Sequence, residues 1–251
     1  MDINQHAREI EVNGFTIVRN VLTTEQISVL KKGVEEAFNE PRGKYPPIFR
    51  GTMFERGETF EHLIDIEPIV SIAEAVLGPY CHVQRMDAIK TWKNTGVDKW
   101  HIDMMDDEVF FPLPEDVQLD EKIKMPCFYI NSLYYLTDCP DLSYGPTQII
   151  PGSQRYGYSP NRKDNLPNEI LDKAVTFSGS AGDVIMFNPM TWHRGTRNES
   201  DTDRIVQGVT YAKHFMGQYF FPHNEYQIPQ HILDRANPRR KRLFGFYKEP
   251  R

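Results

Sequence analysis

From residue 80 onward the chain is a succession of short runs rich in β-branched and aromatic residues, at 81–92, 127–137, 147–150, 175–177, 183–187 and 204–215. Turn-forming clusters separate them: Asn94-Thr95-Gly96, Ser143-Tyr144-Gly145-Pro146, Pro151-Gly152-Ser153 and Ser180-Ala181-Gly182-Asp183. Many short strands with such punctuation predict a sandwich or jelly roll. The 18 prolines agree, because proline breaks the hydrogen-bond ladder of a helix and suits long loops between strands.

Ahead of this region the pattern differs. A short strand over 14–19 is followed by Thr23-Thr24-Glu25-Gln26, where a threonine three residues before a glutamine makes a capping box. Ile27, Leu30, Val34 and Phe38 then recur at helical spacing and predict one buried stripe. A second helix is expected over about 68–77, with Pro68 in its first turn and Gly78 ending it. No repeat or linker divides the chain, so a single domain is expected: support over 1–79, barrel core over 80–216 and an extension over 217–251. The long segment 104–124 reads as an ordered loop that could close over a ligand.

The formal net charge of −6 argues against nucleic acid as a partner, which would call for a basic face. No apolar run approaches the roughly 20 residues needed to cross a bilayer, so no membrane is expected and the predicted location is cytoplasmic. Cys81, Cys127 and Cys139 are odd in number and widely spaced, which encourages neither a disulfide framework nor a thiolate metal site. The expected partners are a small-molecule substrate and, at most, a second copy of the chain in a homodimer.

Chemistry concentrates around Trp100-His101-Ile102-Asp103 and Trp192-His193. In an extended segment residues i and i+2 point the same way, so His101 and Asp103 can reach one metal from one strand, with His193 supplied by another. Two imidazoles and a carboxylate are the donors of non-haem iron(II) oxygenases, and they leave one face of the metal open. An H-x-D taken alone is common and equally describes a surface pair; the run from Gly182 through His193 to Arg204 is much harder to obtain by chance. Arg204, eleven residues after His193, can offer a planar fork to a carboxylate, and its same-face neighbours Val206, Gly208 and Thr210 form a small, largely apolar surface. The alternative places Arg204 outside, paired with Asp201 or Asp203.

In these residues the chain resembles the phytanoyl-CoA dioxygenase (PhyH) family of iron(II)- and 2-oxoglutarate-dependent oxygenases over nearly its whole length. The resemblance is carried by 13–18 before the capped helix, by Ala75-Val76-Leu77-Gly78, by Trp100-His101-Ile102-Asp103, by 145–154, by the His193-to-Arg204 segment and by 237–246. It implies a mainly β fold with flanking helices, a double-stranded β-helix (jelly-roll, cupin-like) barrel. It further implies iron(II) on His101, Asp103 and His193, with 2-oxoglutarate and O₂ as cosubstrates and Arg204 on the distal carboxylate. Thr147 is similar to a family position that touches the cosubstrate, and Asn131 and Tyr129 are further candidates for it. Family members often carry glutamine and histidine where this chain has Ile102 and Gln154, which bears on substrate rather than on metal. Halogenases lack the carboxylate that Asp103 retains.

The implied reaction is oxidation, foremost hydroxylation, of an unactivated C–H bond of a small organic molecule, with release of succinate and CO₂. Desaturation, cyclisation or epimerisation would use the same residues. A reading of another class is a non-catalytic jelly-roll module that keeps a metal for structure, in which Arg204 would be dispensable. Lys93, Trp100, Tyr134, Tyr144 and Trp192 lie near the ligands in sequence and are candidates to line the substrate pocket.

Overall fold

The computed structural model describes residues 2–41, 43, 45–103, 113–114, 117, 119–120, 122–160, 166–220 and 225–247. The expected loop over 104–124 therefore lies largely outside the described residues. The chain opens with a helix beyond those expected, α1 (Ile3–Asn13). Asp2 caps it by accepting from the Asn4 and Gln5 N–H groups at 3.0 and 3.2 Å, and Gly14, at φ +86°, ends it. Ile3, Ala7 and Ile10 share one face of it at helical spacing, and of these Ile10 is fully buried.

β1 (Phe15–Val18) leads to α2 (Thr24–Asn39), where both halves of the capping box form between Thr23 and Gln26 and the stripe buries Leu30, Val34 and Ala37. β2 (Phe49–Arg50), α3 (Glu58–His62) and α4 (Ile69–Leu77) follow, and α4 packs against α1. The strand elements are then β3 (His82–Arg85), β4 (Ala88–Thr91), β5 (Val97–His101), β6 (Tyr129–Tyr135), β7 (Thr147–Ile149), β8 (Val175–Thr176), β9 (Val184–Phe187), β10 (His193–Gly195) and β11 (Arg204–Ala212), with a short α5 (Asn168–Leu171) before β8. α6 (Gln230–Arg235) and α7 (Pro238–Leu243) close the chain.

These strands pair into two antiparallel sheets. The larger has the order β1-β9-β6-β11-β4-β2, with β3 also on β11, and the smaller has the order β5-β10-β7-β8. Tyr135, Ile185, Phe187 and Val206 of the larger sheet pack with Ile149 of the smaller in one apolar cluster, so the sheets face each other across a shared interior. The jelly-roll expectation is met in this two-layer form, whereas a barrel closed by hydrogen bonds is not: the named strands form two separate sheets. The larger sheet buries its other face under α2, α3 and α4 through Leu30, Phe60, Ile72, Ile130, Tyr134, Val209 and Tyr211.

The C-terminal segment is clamped to this helical layer by forked ion pairs, Arg239 to Glu74 (2.6 and 3.0 Å) and Arg240 to Asp65 (2.7 and 2.9 Å). No helix among the described residues is long and apolar enough to cross a membrane.

Candidate active site

The smaller sheet brings the two histidines together. His193 on β10 lies directly opposite His101 on β5, with ring centroids 4.3 Å apart. Asp103 follows two residues after His101, its backbone N–H fixed to the Pro189 carbonyl at 3.0 Å. Its carboxylate meets both rings, Oδ1 at 3.7 Å from His101 Nε2 and Oδ2 at 3.4 Å from His193 Nε2. One donor atom from each of the three residues falls within 4.8 Å of the others.

Each ring is held by the backbone two residues before it. His101 Nδ1 contacts the Lys99 carbonyl and His193 Nδ1 the Thr191 carbonyl, both at 2.8 Å. A carbonyl only accepts, so both Nδ1 atoms carry a proton and both Nε2 atoms are turned toward Asp103; burial opposes the charged form of His193, but Asp103 outweighs it and raises that ring above its ordinary value. Burial, with the neighbouring His193, pulls His101 down to about 4 and keeps it neutral. Burial pushes the Asp103 carboxyl up, but His193, Arg85 and His101 outweigh it and hold the group well below the usual carboxylate range. A neutral imidazole and an ionised carboxylate are the states in which these groups bind a cation.

Asp103 is itself oriented. The Asn131 side-chain amide donates to its Oδ2, and Asn131 Oδ1 accepts from the Thr210 hydroxyl at 2.7 Å, which sets the amide's direction. The Tyr129 hydroxyl donates to the Asp103 carbonyl at 2.9 Å. Asn131 and Tyr129, expected beside the cosubstrate, both bond Asp103, and Asn131 also lines the cavity. The reason is register: both project from the inner face of β6 in the rows next to Thr210 and Ala212 of β11.

Arg204 lies in the same cavity, which is also lined by Thr147, Leu133, Phe187, Gly195 and the three metal-site residues. It is 4% exposed. Asp201 and Asp203, its alternative partners, are engaged by Lys93 at 2.7 Å and Lys90 at 2.9 Å. Among the described residues Arg204 donates to the Gly145 carbonyl and lies over the Tyr135 ring, while its Nε has no partner and no carboxylate is within salt-bridge reach. Gly195 makes the space: a Cβ there would come within 3.2 Å of the guanidinium. The Tyr135 hydroxyl donates to Thr147 Oγ1 at 2.7 Å and accepts from the Thr147 N–H at 3.0 Å, so Thr147 stands beside the arginine in a fixed orientation. A buried guanidinium left without a counter-charge is costly, and an anion from solution would satisfy it.

None of the five residues proposed for the substrate pocket lines this cavity. Tyr134 and Trp192 are fully buried behind it, with Tyr134 bonded to the Leu63 carbonyl and Trp192 Nε1 to the Tyr158 carbonyl. Lys93 pairs with Asp201 at the surface, Trp100 lies under the Arg194 guanidinium at 4.7 Å, and Tyr144 bridges to Asn198. Gln154 does not line this cavity either; with Arg155 it donates to the carbonyls that end α1, Glu11 and Val12. Residues that line the cavity and were not singled out in the sequence include Arg85, Asp87, Ile89 and Arg194.

A family model for phytanoyl-CoA dioxygenase (PhyH) matches residues 10–206. Among solved structures, the fold is similar to HygX from Streptomyces hygroscopicus with nickel and 2-oxoglutarate bound, at 15% identity and a TM-score of 0.66, covering 86% of this chain and 89% of that one. HygX with nickel, 2-oxoglutarate and hygromycin B bound superposes with a TM-score of 0.63 at 14% identity over the same shares. SnoN, a non-heme alpha ketoglutarate dependent epimerase from nogalamycin biosynthesis, matches at 17% identity and a TM-score of 0.64, covering 84% of this chain and 83% of that one.

Proposed function

This chain belongs to the phytanoyl-CoA dioxygenase family of non-haem iron, 2-oxoglutarate-dependent enzymes, and we propose that it hydroxylates an unactivated C–H bond of a small organic molecule. In this reading His101, Asp103 and His193 hold iron(II), and Arg204 holds the distal carboxylate of 2-oxoglutarate with Thr147 beside it. The donor set fits the metal: two imidazole rings with fixed orientations and one carboxylate converge from one side, and the other side faces the cavity. The bound metal, 2-oxoglutarate and O₂ supply the oxidising chemistry, with the cosubstrate leaving as succinate and CO₂.

The chain's own residues supply position and shelter. Asn131 and Tyr129 hold Asp103 in place, and the two backbone carbonyls hold the histidines. Arg204 fixes the far end of the cosubstrate in the space that Gly195 leaves. Phe187, Leu133 and Ile89 give the cavity apolar walls that limit water around the reacting atoms.

The observation that carries the reading is Arg204: a buried cation without a counter-charge, in the same cavity as three side chains that could hold a metal. Titration calorimetry of 2-oxoglutarate into manganese(II)-loaded protein tests it. Binding by wild type that weakens at least about tenfold in Arg204→Ala is expected, and equal binding by the two proteins would contradict it.

A further inference from the structure

Another arginine that lines the cavity, Arg85, helps keep Asp103 ionised but is assigned no contact with the iron or the 2-oxoglutarate in the reading above. Arg85, the last residue of β3, and Asp87, just before β4, both face the space that contains His101, Asp103 and His193. Register explains their placement. β3 and β4 run as one line against β11, with Arg85 opposite Thr210 and Ala88 opposite Gln207. Asp87 therefore falls opposite Gly208, and their backbones bond in both directions, Gly208 N–H to Asp87 O at 2.7 Å and Asp87 N–H to Gly208 O at 3.2 Å. Because side chains alternate along a strand, Arg85 and Asp87 share the inner face while Met86 is buried on the other.

The two charges are poorly matched to each other. Arg85 Nε is 3.6 Å from Asp87 Oδ2 and 3.4 Å from Thr210 Oγ1, against about 2.8 Å for a charge-assisted hydrogen bond. Among the described residues, no hydrogen bond reaches the terminal guanidinium nitrogens or the Asp87 carboxylate. The ion pairs that fasten the C-terminal segment, Arg239 to Glu74 and Arg240 to Asp65, are forked and close to ideal length. A pair kept only for structure would be expected to look like those. Burial also pushes the Asp87 carboxyl upward, and Arg85 offsets only part of that effect.

We propose that Arg85 and Asp87 recognise a zwitterionic substrate of the amino-acid type, its carboxylate on the Arg85 guanidinium and its ammonium group on Asp87. This rests on the reading of the same cavity as an iron and 2-oxoglutarate site. Arg85, Thr210 and Asn131 stand in one row across β3, β11 and β6, and Asn131 holds the metal-site carboxylate. With strands roughly 4.8 Å apart, a molecule held at Arg85 begins about 10 Å across the sheet from Asn131, within reach for a small substrate. Arg204 lies six residues from Thr210 along β11, roughly 20 Å away at the rise of an extended strand. The two arginines thus bracket the metal site, and each has its own carboxylate to hold.

The test uses the full chain loaded anaerobically with iron(II) and 2-oxoglutarate, reading the visible charge-transfer band of the chelate. Absence of the band in wild type would overturn the underlying reading and this proposal with it. With the band present, the twenty standard L-amino acids are added singly, alongside their methyl esters and N-acetyl derivatives. The expected result is that at least one free amino acid shifts the band and, in air, speeds succinate release about tenfold or more, while its ester and N-acetyl forms do neither. Arg85→Gln should weaken that response at least about tenfold, and Arg85→Lys should recover part of it. Asp87→Asn should reduce the preference for the free amino group. No response to any free amino acid, or an equal response to the blocked forms, would overturn the proposal while the band still stands. The wild-type comparison decides this even where a variant does not fold.

Discussion

His101 and His193 form a cross-strand pair on β5 and β10, each ring fixed through Nδ1 by the carbonyl two residues before it. The pairing means that the smaller sheet, rather than a loop, positions two of the three proposed iron ligands, and that their Nε2 atoms are aimed before any metal arrives. Asp103 follows β5, and its orientation comes from the opposite sheet through Asn131. The site therefore joins the two layers of the fold, and its integrity depends on both.

Asn131→Ala removes the donor to Asp103 and leaves all three ligands in place. Orienting partners of this kind are worth about 10–100-fold in metal affinity. Competition titration with a chromophoric chelator should show a loss in that range with little change in melting temperature. Unchanged affinity would mean that the Asn131 contact does not orient the carboxylate.

Arg204→Met separates function from stability. Removing a buried, uncompensated charge should raise the stability of the metal-free protein by about 1 kcal/mol, while 2-oxoglutarate binding is lost. Chemical denaturation of both proteins without metal gives the comparison. A variant destabilised by several kcal/mol would mark Arg204 as a structural residue.

Asp183 ties the segment after β1 to the turn before β9, accepting from the Asn20 N–H at 2.9 Å, the Ser180 N–H at 3.0 Å and Arg19 at 2.7 Å. Burial raises its carboxyl, but these donors outweigh burial and hold it below the usual value. A depressed folded value stabilises above the unfolded pKa, about 3.9, and that contribution disappears as pH falls through the folded one. Arg19 is half-exposed and screened, so the backbone donors carry most of the effect. Asp183→Asn should cost about 1 kcal/mol at pH 7 by urea unfolding, and the gap to wild type should close below about pH 4. A gap that persists in acid would show that the charge is not what matters.

What was legible in the sequence follows from how narrowly each feature is constrained. The convergence of His101, Asp103, His193 and Arg204 on one cavity was readable because few residue types suit iron or a carboxylate, and alternation fixes which of them can share a face. The large sheet was readable from its β-branched runs. Tyr134 and Trp192 were misplaced for the same reason of alternation: each is next in sequence to a cavity-lining residue, Leu133 or His193, and so points the opposite way. Arg85 and Asp87 resemble solvent-facing strand charges until the register with Thr210 and Gly208 turns them inward. α1 does carry local signals, the Asp2 cap and the short stripe of Ile3, Ala7 and Ile10, but that stripe is short and surrounded by polar residues.

The most direct test of the central claim is anaerobic addition of iron(II) and 2-oxoglutarate to the purified protein, followed by visible absorption spectroscopy. Wild type should develop the charge-transfer band of a 2-oxoglutarate chelate, His193→Ala should show none, and Arg204→Ala should require at least about tenfold more 2-oxoglutarate to reach half its intensity. No band in metal-loaded wild type, or a band of equal strength in His193→Ala, would contradict the account.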